Sequence, residues 1–285
     1  MGPLGVIGGS GLYQMAGLEG LREEKVATPF GEPSDPYLLG RIAGREVVFL
    51  SRHGRGHRIQ PTEINFRANV YGFKTLGVER LVSVSAVGSM KEDLRPLDVV
   101  LPDQFIDWTR ARPSTFFGNG LVAHVSLAYP ICADLSAALA AAAEGCGARL
   151  HRGGVYLCIE GPQFSTRGES LLYRTWGVDV IGMTNVQEAK LAREAEICYA
   201  TVAMVTDYDC WREEEEPVTV EEVVARLNDN ARMAQAIVSR VIERLPAGRA
   251  CGCATALKNA ILTDPARVPR EARERLRLLV GRYLD

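Results

Sequence analysis

Short apolar runs, each closed by glycine or a polar residue, recur along the chain. "PLGVIGGSG" reads as a strand entering a glycine turn. "REVVFLSRHG" and "VERLVSVSAVGSM" read as strands that end in polar, glycine-containing loops. "DVVLPDQFID", "GGVYLCIEGPQF", "GVDVIGMTN" and "CYATVAMVTDYD" repeat the theme. Helical segments separate these runs, and the alternation predicts an α/β fold. Each run stops where Ser, His, Glu, Asp or Arg begins. Ligands in open α/β sheets bind beyond the carboxyl ends of strands, so the polar endings predict one site built from several loops.

A long helix is expected from Thr219, which forms a capping box with Glu222 just after Pro217. Val223, Val224, Leu227, Ala231, Ala234, Ile237, Val238, Val241 and Leu245 then recur three or four apart, an amphipathic face. "LPAGRACGC" breaks that helix. Beyond it "ATALKNAIL" and "PREARERLRLLVGRYL" predict two short helices joined by an Asp-Pro turn.

A formal charge of −2 gives no basic footprint for nucleic acid. No apolar run approaches the roughly 20 residues of a membrane helix. The N-terminus lacks a basic start followed by an apolar stretch, so a cytoplasmic location is expected. Of seven cysteines, Cys132, Cys146, Cys158, Cys198 and Cys210 are scattered, as core residues are, while Cys251 and Cys253 form a C-G-C pair. That spacing is tighter than the usual zinc knuckle and no second pair or histidine cluster follows, so no metal is expected.

The strand ends carry the candidate chemistry. "GVIGGSGLY" sets Ser10 among flexible glycines whose amides can cradle a phosphate. It matches neither the nucleotide-hydrolysing P-loop nor the dinucleotide fingerprint. "SRHGRGH" puts Arg52, with a guanidinium suited to bidentate phosphate recognition, and His53 directly after a strand. "SAVGSM" adds Ser85 and a small-residue turn. Together the three suggest an oxyanion site without a metal. "TVAMVTDYDCW" then runs a buried-looking strand into Asp207 and Asp209, which an extended chain would turn to one side. Repulsion and burial would hold one proton on such a pair at neutral pH, the state an acid catalyst requires.

"GGSGLY", "RHG", "SAVGS", "QFIDWT", "EGPQFSTRGES", "RTWGVDVIGMT" and "MVTDYDCW" stand in order from about Gly5, and the similarity extends to Leu245. In this the chain resembles the 5′-methylthioadenosine phosphorylases, a branch of the trimeric purine nucleoside phosphorylase family. The resemblance implies a central mixed, twisted β-sheet flanked by helices, in a catalytic domain over residues 1–247. Residues 248–285 are then a helical C-terminal extension of the same domain carrying the C-G-C. The implied reaction is phosphorolysis of 5′-methylthioadenosine to adenine and 5-methylthioribose 1-phosphate, with adenosine a further candidate substrate. Inorganic phosphate is the co-substrate and no cofactor is expected.

By the same analogy Ser10, Arg52, His53, Ser85, the Ala86 amide and Thr184 hold phosphate. Phe164, Ser165, Ile181 and Met183 face base and ribose. Val218, Val220, Val223 and Val224 supply an apolar 5′ pocket, and His124 is lent by a neighbouring subunit. Asp207 is expected at the purine N7 and Asp209 at the 6-amino group, since a carboxylate accepts from N–H and a carboxyl can donate to N7. The implied assembly is a homotrimer or a dimer of trimers. Bridges Cys132–Cys198 and Cys251–Cys253 are implied by the tails of thermophilic relatives. The family's "INMT" and "VPE" read "IGMT" and "VQE" here, with Gly182 and Gln187 as departures. Competing readings are a 6-oxopurine nucleoside phosphorylase acting on methylthioinosine, inosine or guanosine, a nucleoside hydrolase, and a non-enzymatic nucleoside-binding protein.

Overall fold

The computed structural model describes residues 2–13, 15, 17–212 and 220–284. Within them the first half of the chain forms strands β1 (Leu4–Gly8), β2 (Glu19–Glu24), β3 (Tyr37–Ile42) and β4 (Arg45–Ser51), helix α1 (Phe66–Thr75) and strand β5 (Arg80–Ser89). Next come β6 (Val99–Leu101), β7 (Gln104–Trp108), α2 (Ala133–Gly145), β8 (Leu150–Arg152), β9 (Val155–Ile159) and α3 (Arg167–Thr175). The rest is β10 (Val180–Gly182), α4 (Asn185–Glu194), β11 (Cys198–Asp207), α5 (Val220–Arg244) and α6 (Arg270–Leu284).

The eleven strands make one mixed sheet with β5 at its hub, as the resemblance implies. β1 is parallel to both β4 and the first half of β5. β11 runs parallel along the other edge of β5, from Cys198 opposite Arg80 to Asp207 opposite Gly88. The last residues of β5 instead pair with β10, antiparallel, and β10 continues the sheet through β9 to β7. β1, β4, β5 and β11 therefore end on the same side, which is where their polar residues collect. All five residues of β1 are buried, as expected of a parallel strand covered on both faces.

Helix ends follow local chemistry. The Asn65 side chain accepts from the Ala68 amide at the start of α1, and Thr166 with Glu169 forms a capping box for α3. In α5, Ala234, Ile237, Val238 and Val241 are buried, so the predicted apolar face is the packed one. Its expected cap, Thr219, lies outside the described residues.

Two expectations change. "DVVLPDQFID" is two strands, β6 and β7, because Pro102 cannot donate to a ladder and ends the first. "ATALKNAIL" forms no α-helix: a 3-10 turn at Gly252–Thr255 leads through further turns to Ile261, which bridges Ala123. The second predicted helix is α6, after Asp264 caps a short turn at Pro265–Arg267. Its Ala272, Leu276, Leu279 and Val280 join the same core cluster as β1, β4 and α5. No helix among the described residues is long and apolar enough to cross a membrane.

Candidate active site

The site opens where β5 surfaces. Val84, Ser85 and Val87 are buried but Ala86 between them is exposed, so the strand reaches the surface at that residue. The Arg52 amide donates to the Gly8 carbonyl at 3.0 Å, bringing the loop after β4 against the end of β1.

Beneath this surface lies a buried polar network. Arg52 and Glu188 are 3% and 0% exposed and pair through Nε–Oε1 at 2.5 Å and Nη2–Oε2 at 3.2 Å. Nη2 also donates to Ser83 Oγ at 2.7 Å, and Nη1 donates to the Val84 carbonyl at 3.2 Å. The bidentate fork that the sequence reading directs at an anion is thus closed on Glu188. Burial works to lower the Arg52 pKa, but the Glu188 carboxylate outweighs it and the net shift is upward. Ser83 Oγ donates in turn to Glu188, and the Asn185 amide reaches Ser83, Tyr199 and Thr201. Burying charge in this way is tolerable only because each polar atom has a partner.

His53 is half-buried and stacks on His57, ring centroids 4.2 Å apart. Its Nδ1 lies 2.8 Å from the Ile59 carbonyl, which can only accept, so Nδ1 carries the proton. Burial, and then the Arg52 charge, push its pKa down to about 4. The neutral ring therefore offers Nε2 as an acceptor. Ser85 Oγ lies 3.2 Å from the Tyr156 hydroxyl. Thr184 is buried at the N-cap of α4, and its hydroxyl makes no cap hydrogen bond but turns to Asn185. The first-turn amides of α4 consequently lack a side-chain cap, and such an end favours anions.

Carboxylates gather where β5 and β11 end. A side chain at Gly88 would stand 3.2 Å from Asp207 Oδ1, 3.1 Å from Ile181 and 3.4 Å from the Asp209 Cβ, so these groups converge on that glycine. Strand alternation is not what brings them there. β11 shifts register between Val205 and Asp207 and ends, and Asp209 turns back with φ +23°. Asp207 accepts from Thr206 Oγ1 at 2.6 Å and from the Asp209 amide at 3.0 Å. Asp209 accepts from Ser170 Oγ, and its pKa is raised by burial against that hydrogen bond. Ser165 has a buried Oγ with no hydrogen-bond partner among the described residues, and its carbonyl accepts from Cys210 Sγ at 3.2 Å. Phe164 beside it is 84% exposed.

Met183 is half-buried under Gly161, where a side chain would come 2.5 Å from its sulfur. Its carbonyl accepts from Arg112, which also reaches Gln187 at 3.2 Å and the Glu160 carboxylate at 3.2 Å. Arg112, Glu188, Ser170 and Tyr156 escaped the sequence reading. The signal for Glu188 was a carboxylate set between Val186 and Ala189 at the start of a helix with apolar neighbours. The others carry no local signal.

Among the expected residues, the side chains of Ser10, Val220, Val223 and Val224 lie outside the described residues, as does Val218. His124 is exposed, its amide donating to the Ala260 carbonyl at 2.8 Å. No hydrogen bond among the described residues joins its ring to the site residues of its own chain. All seven cysteines are free, so neither expected bridge is formed.

Residues 3–243 match the profile of the phosphorylase superfamily. The S-methyl-5′-thioadenosine phosphorylase of Koribacter versatilis is 58% identical, covering 98% of this chain and 96% of its own. That of Geobacter sulfurreducens is also 58% identical, covering 99% of both. A crystal structure of a methylthioadenosine phosphorylase from an Antarctic soil metagenomic library superposes with a TM-score of 0.93 at 48% identity, over 98% of each chain. The Schistosoma mansoni methylthioadenosine phosphorylase in complex with adenine gives 0.82 at 36% identity, over 90% of this chain and 96% of that one. The chain belongs to the methylthioadenosine phosphorylase branch of the phosphorylase superfamily.

Proposed function

We propose that the chain catalyses the phosphate-dependent cleavage of 5′-methylthioadenosine to adenine and 5-methylthioribose 1-phosphate. The observation that carries this reading is the convergence of Asp207 and Asp209 on Gly88, beside a buried Ser165 hydroxyl with no partner among the described residues and near the exposed Ala86 of β5. One side of this region offers carboxyl groups and a hydroxyl to a nitrogen heterocycle. The other offers an imidazole, the Ser85 hydroxyl and an uncapped helix end to an oxyanion. The relatives' names supply the substrate.

Breaking the C1′–N9 bond leaves positive charge on the sugar and negative charge on the purine. A carboxyl proton given to N7 from Asp207 meets the second, and Asp209 accepts from the 6-amino group. Before substrate binds, burial raises the pKa of Asp209, which Ser170 positions. An adenine 6-amino donor favours its ionised form and leaves the shared proton to Asp207, so the proton is a property of the pair. Phosphate, held by His53, Ser85, Ala86, Thr184 and Ser10, attacks C1′ from the opposite end. Nε2 of a neutral His53 accepts from a phosphate hydroxyl. Arg52 acts through Glu188 and the loop it fixes. The reaction as written calls on phosphate and no cofactor.

We further read the active form as a homotrimer or a dimer of trimers, with His124 reaching a neighbour's site. Support comes from the surface beside it: Val122, Tyr129 and Leu262 are all exposed, and Val122 pairs with Leu262 through the backbone. Adenine release from methylthioadenosine, measured with and without phosphate, tests the reaction. Release that requires phosphate and falls away with inosine is expected. Phosphate-independent release would mean hydrolysis, and preference for inosine a 6-oxopurine enzyme. Light scattering of the chain and of His124→Ala tests the assembly and the shared site.

A further inference from the structure

The C-G-C pair is not alone. Cys132 is the N-cap of α2, Cys198 opens β11, and Cys251 and Cys253 flank Gly252 at the 3-10 turn that begins the C-terminal segment. Their four sulfurs lie within 4.8 Å of one another. The second pair whose absence argued against zinc is therefore supplied by the fold, from positions far away in sequence. We propose that Cys132, Cys198, Cys251 and Cys253 form a tetrathiolate site for one thiophilic divalent cation, Zn(II), which fastens the C-terminal segment to the sheet.

Geometry and chemistry agree on this. Zn–S bonds of about 2.3 Å in a tetrahedron set sulfurs about 3.8 Å apart, so the cluster is already near the required size. Cys198 lies 3.3 Å from Cys251, a contact that crosses the pairing the family resemblance implied, and no pair stands apart from the other. Cys132, Cys198 and Cys253 are buried and Cys251 is half-buried. A ligand set of sulfur alone selects zinc over magnesium or calcium, which prefer oxygen. A cleft of 490 Å³ lined by Arg80, Cys132, Asp134, Cys198, Arg249 and Cys251 gives the ion a way in. Binding sends four thiol protons to solvent and leaves a centre of net charge −2, which Arg80 and Arg249 in the cleft offset in part. The reaction site shares none of these residues, so the proposal stands apart from the catalytic reading.

The C-terminal segment is also held by Glu196, which accepts from the Leu257 amide, the Tyr283 hydroxyl and Arg282. Cysteine variants should therefore still fold. The full-length chain, purified with a phosphine reductant and no chelator, should contain one zinc per chain by elemental analysis. A chelator strong enough to remove it should lower Tm by roughly 5–10 °C. Co(II) in its place should show the intense visible bands of a tetrahedral thiolate site. Cys132→Ser and Cys253→Ser should each abolish these signals, whereas Cys146→Ser, Cys158→Ser and Cys210→Ser should keep them. The proposal is overturned if the reduced chain takes up no zinc or cobalt, or if uptake survives Cys132→Ser and Cys253→Ser. Peptide mapping that finds the four sulfurs joined as two disulfides in the chain isolated without added oxidant would overturn it as well.

Discussion

At the scale of single residues, two carboxyl groups of like type sit in different surroundings and can be told apart. Asp207 is exposed and held by the Thr206 hydroxyl and the Asp209 amide, whereas Asp209 is half-buried against Ser170. Asp207→Asn keeps the shape but cannot give a proton to N7, and should lower kcat by about 10²–10⁴-fold with an unchanged melting curve. A near-normal kcat would remove Asp207 from the acid role. Burial raises the Asp209 pKa, so the folded chain takes up that proton at a higher pH than the unfolded chain does. Its ionised form therefore costs stability at neutral pH, and the cost fades as pH falls. Asp209→Asn should melt no lower than the parent at neutral pH, its advantage should shrink toward acid, and turnover should fall; a clear loss of Tm at pH 7 would contradict this. His53 carries the opposite sign. Its folded pKa of about 4 lies below the ordinary 6.5, so the unfolded chain binds the extra proton between those values. The stability it contributes is complete above about pH 6.5 and is lost as pH falls toward 4. In NMR titration of the phosphate-free chain, the His53 ring should stay neutral with its proton on Nδ1 down to pH 5; a midpoint near 6.5 would undo the assignment.

At the scale of elements, the runs that read as strands became strands because burial on both faces leaves an unbroken apolar signature, as in β1 and β11. β2 carried no such signature: it is almost wholly exposed, polar, and set by pairing with β3. "ATALKNAIL" had helical spacing, but Cys253 and Leu257 are buried by a path of turns that tertiary packing chose. In the site, residues at strand ends were legible, since polarity after an apolar run is a local signal. Arg112 and Ser170 were not, because their partners, Met183 and Asp209, are 71 and 39 positions away. Even the aspartate pair was read correctly as a pair for a reason the chain does not use, a register shift and a turn having replaced strand alternation. The Gly182 departure from the family pattern also finds its cause in packing between elements. A side chain there would stand 2.0 Å from the Tyr156 hydroxyl and 2.7 Å from its ring, and that hydroxyl meets Ser85. β10 can lie beside β9 only without a Cβ at this point. Gly182→Ala should cost about 1–3 kcal/mol in urea unfolding and weaken phosphate saturation through Ser85. An unchanged midpoint would show that β9 yields more easily than its buried tyrosine implies.

At the scale of the whole molecule, the last 35 or so residues are part of the core in one sense and separable in another. α6 buries Leu276 and Val280 with α5 and the sheet, yet the path that leads to it is turns and short bridges. Its attachment narrows to a few polar points, of which Glu196 is the most connected. That residue is buried, has φ +56°, and holds Leu257, Arg282 and Tyr283, while Arg249 donates to its carbonyl at 2.9 Å. The left-handed backbone is unfavourable for a residue with a Cβ, and the carboxylate contacts hold it in place. Glu196→Gln keeps the volume but turns an amide N–H₂ toward either a guanidinium or a backbone N–H. About 1.5–3 kcal/mol should be lost, the range of hydrogen bonds to charged groups. Since Glu196 touches neither Asp207 nor His53, the loss should be local. Hydrogen exchange should quicken across residues 250–284 while peptides of β5 and β11 keep their protection, and kcat should change less than twofold. Uniform faster exchange over the sheet would instead mean that the segment and the catalytic core unfold as one cooperative unit.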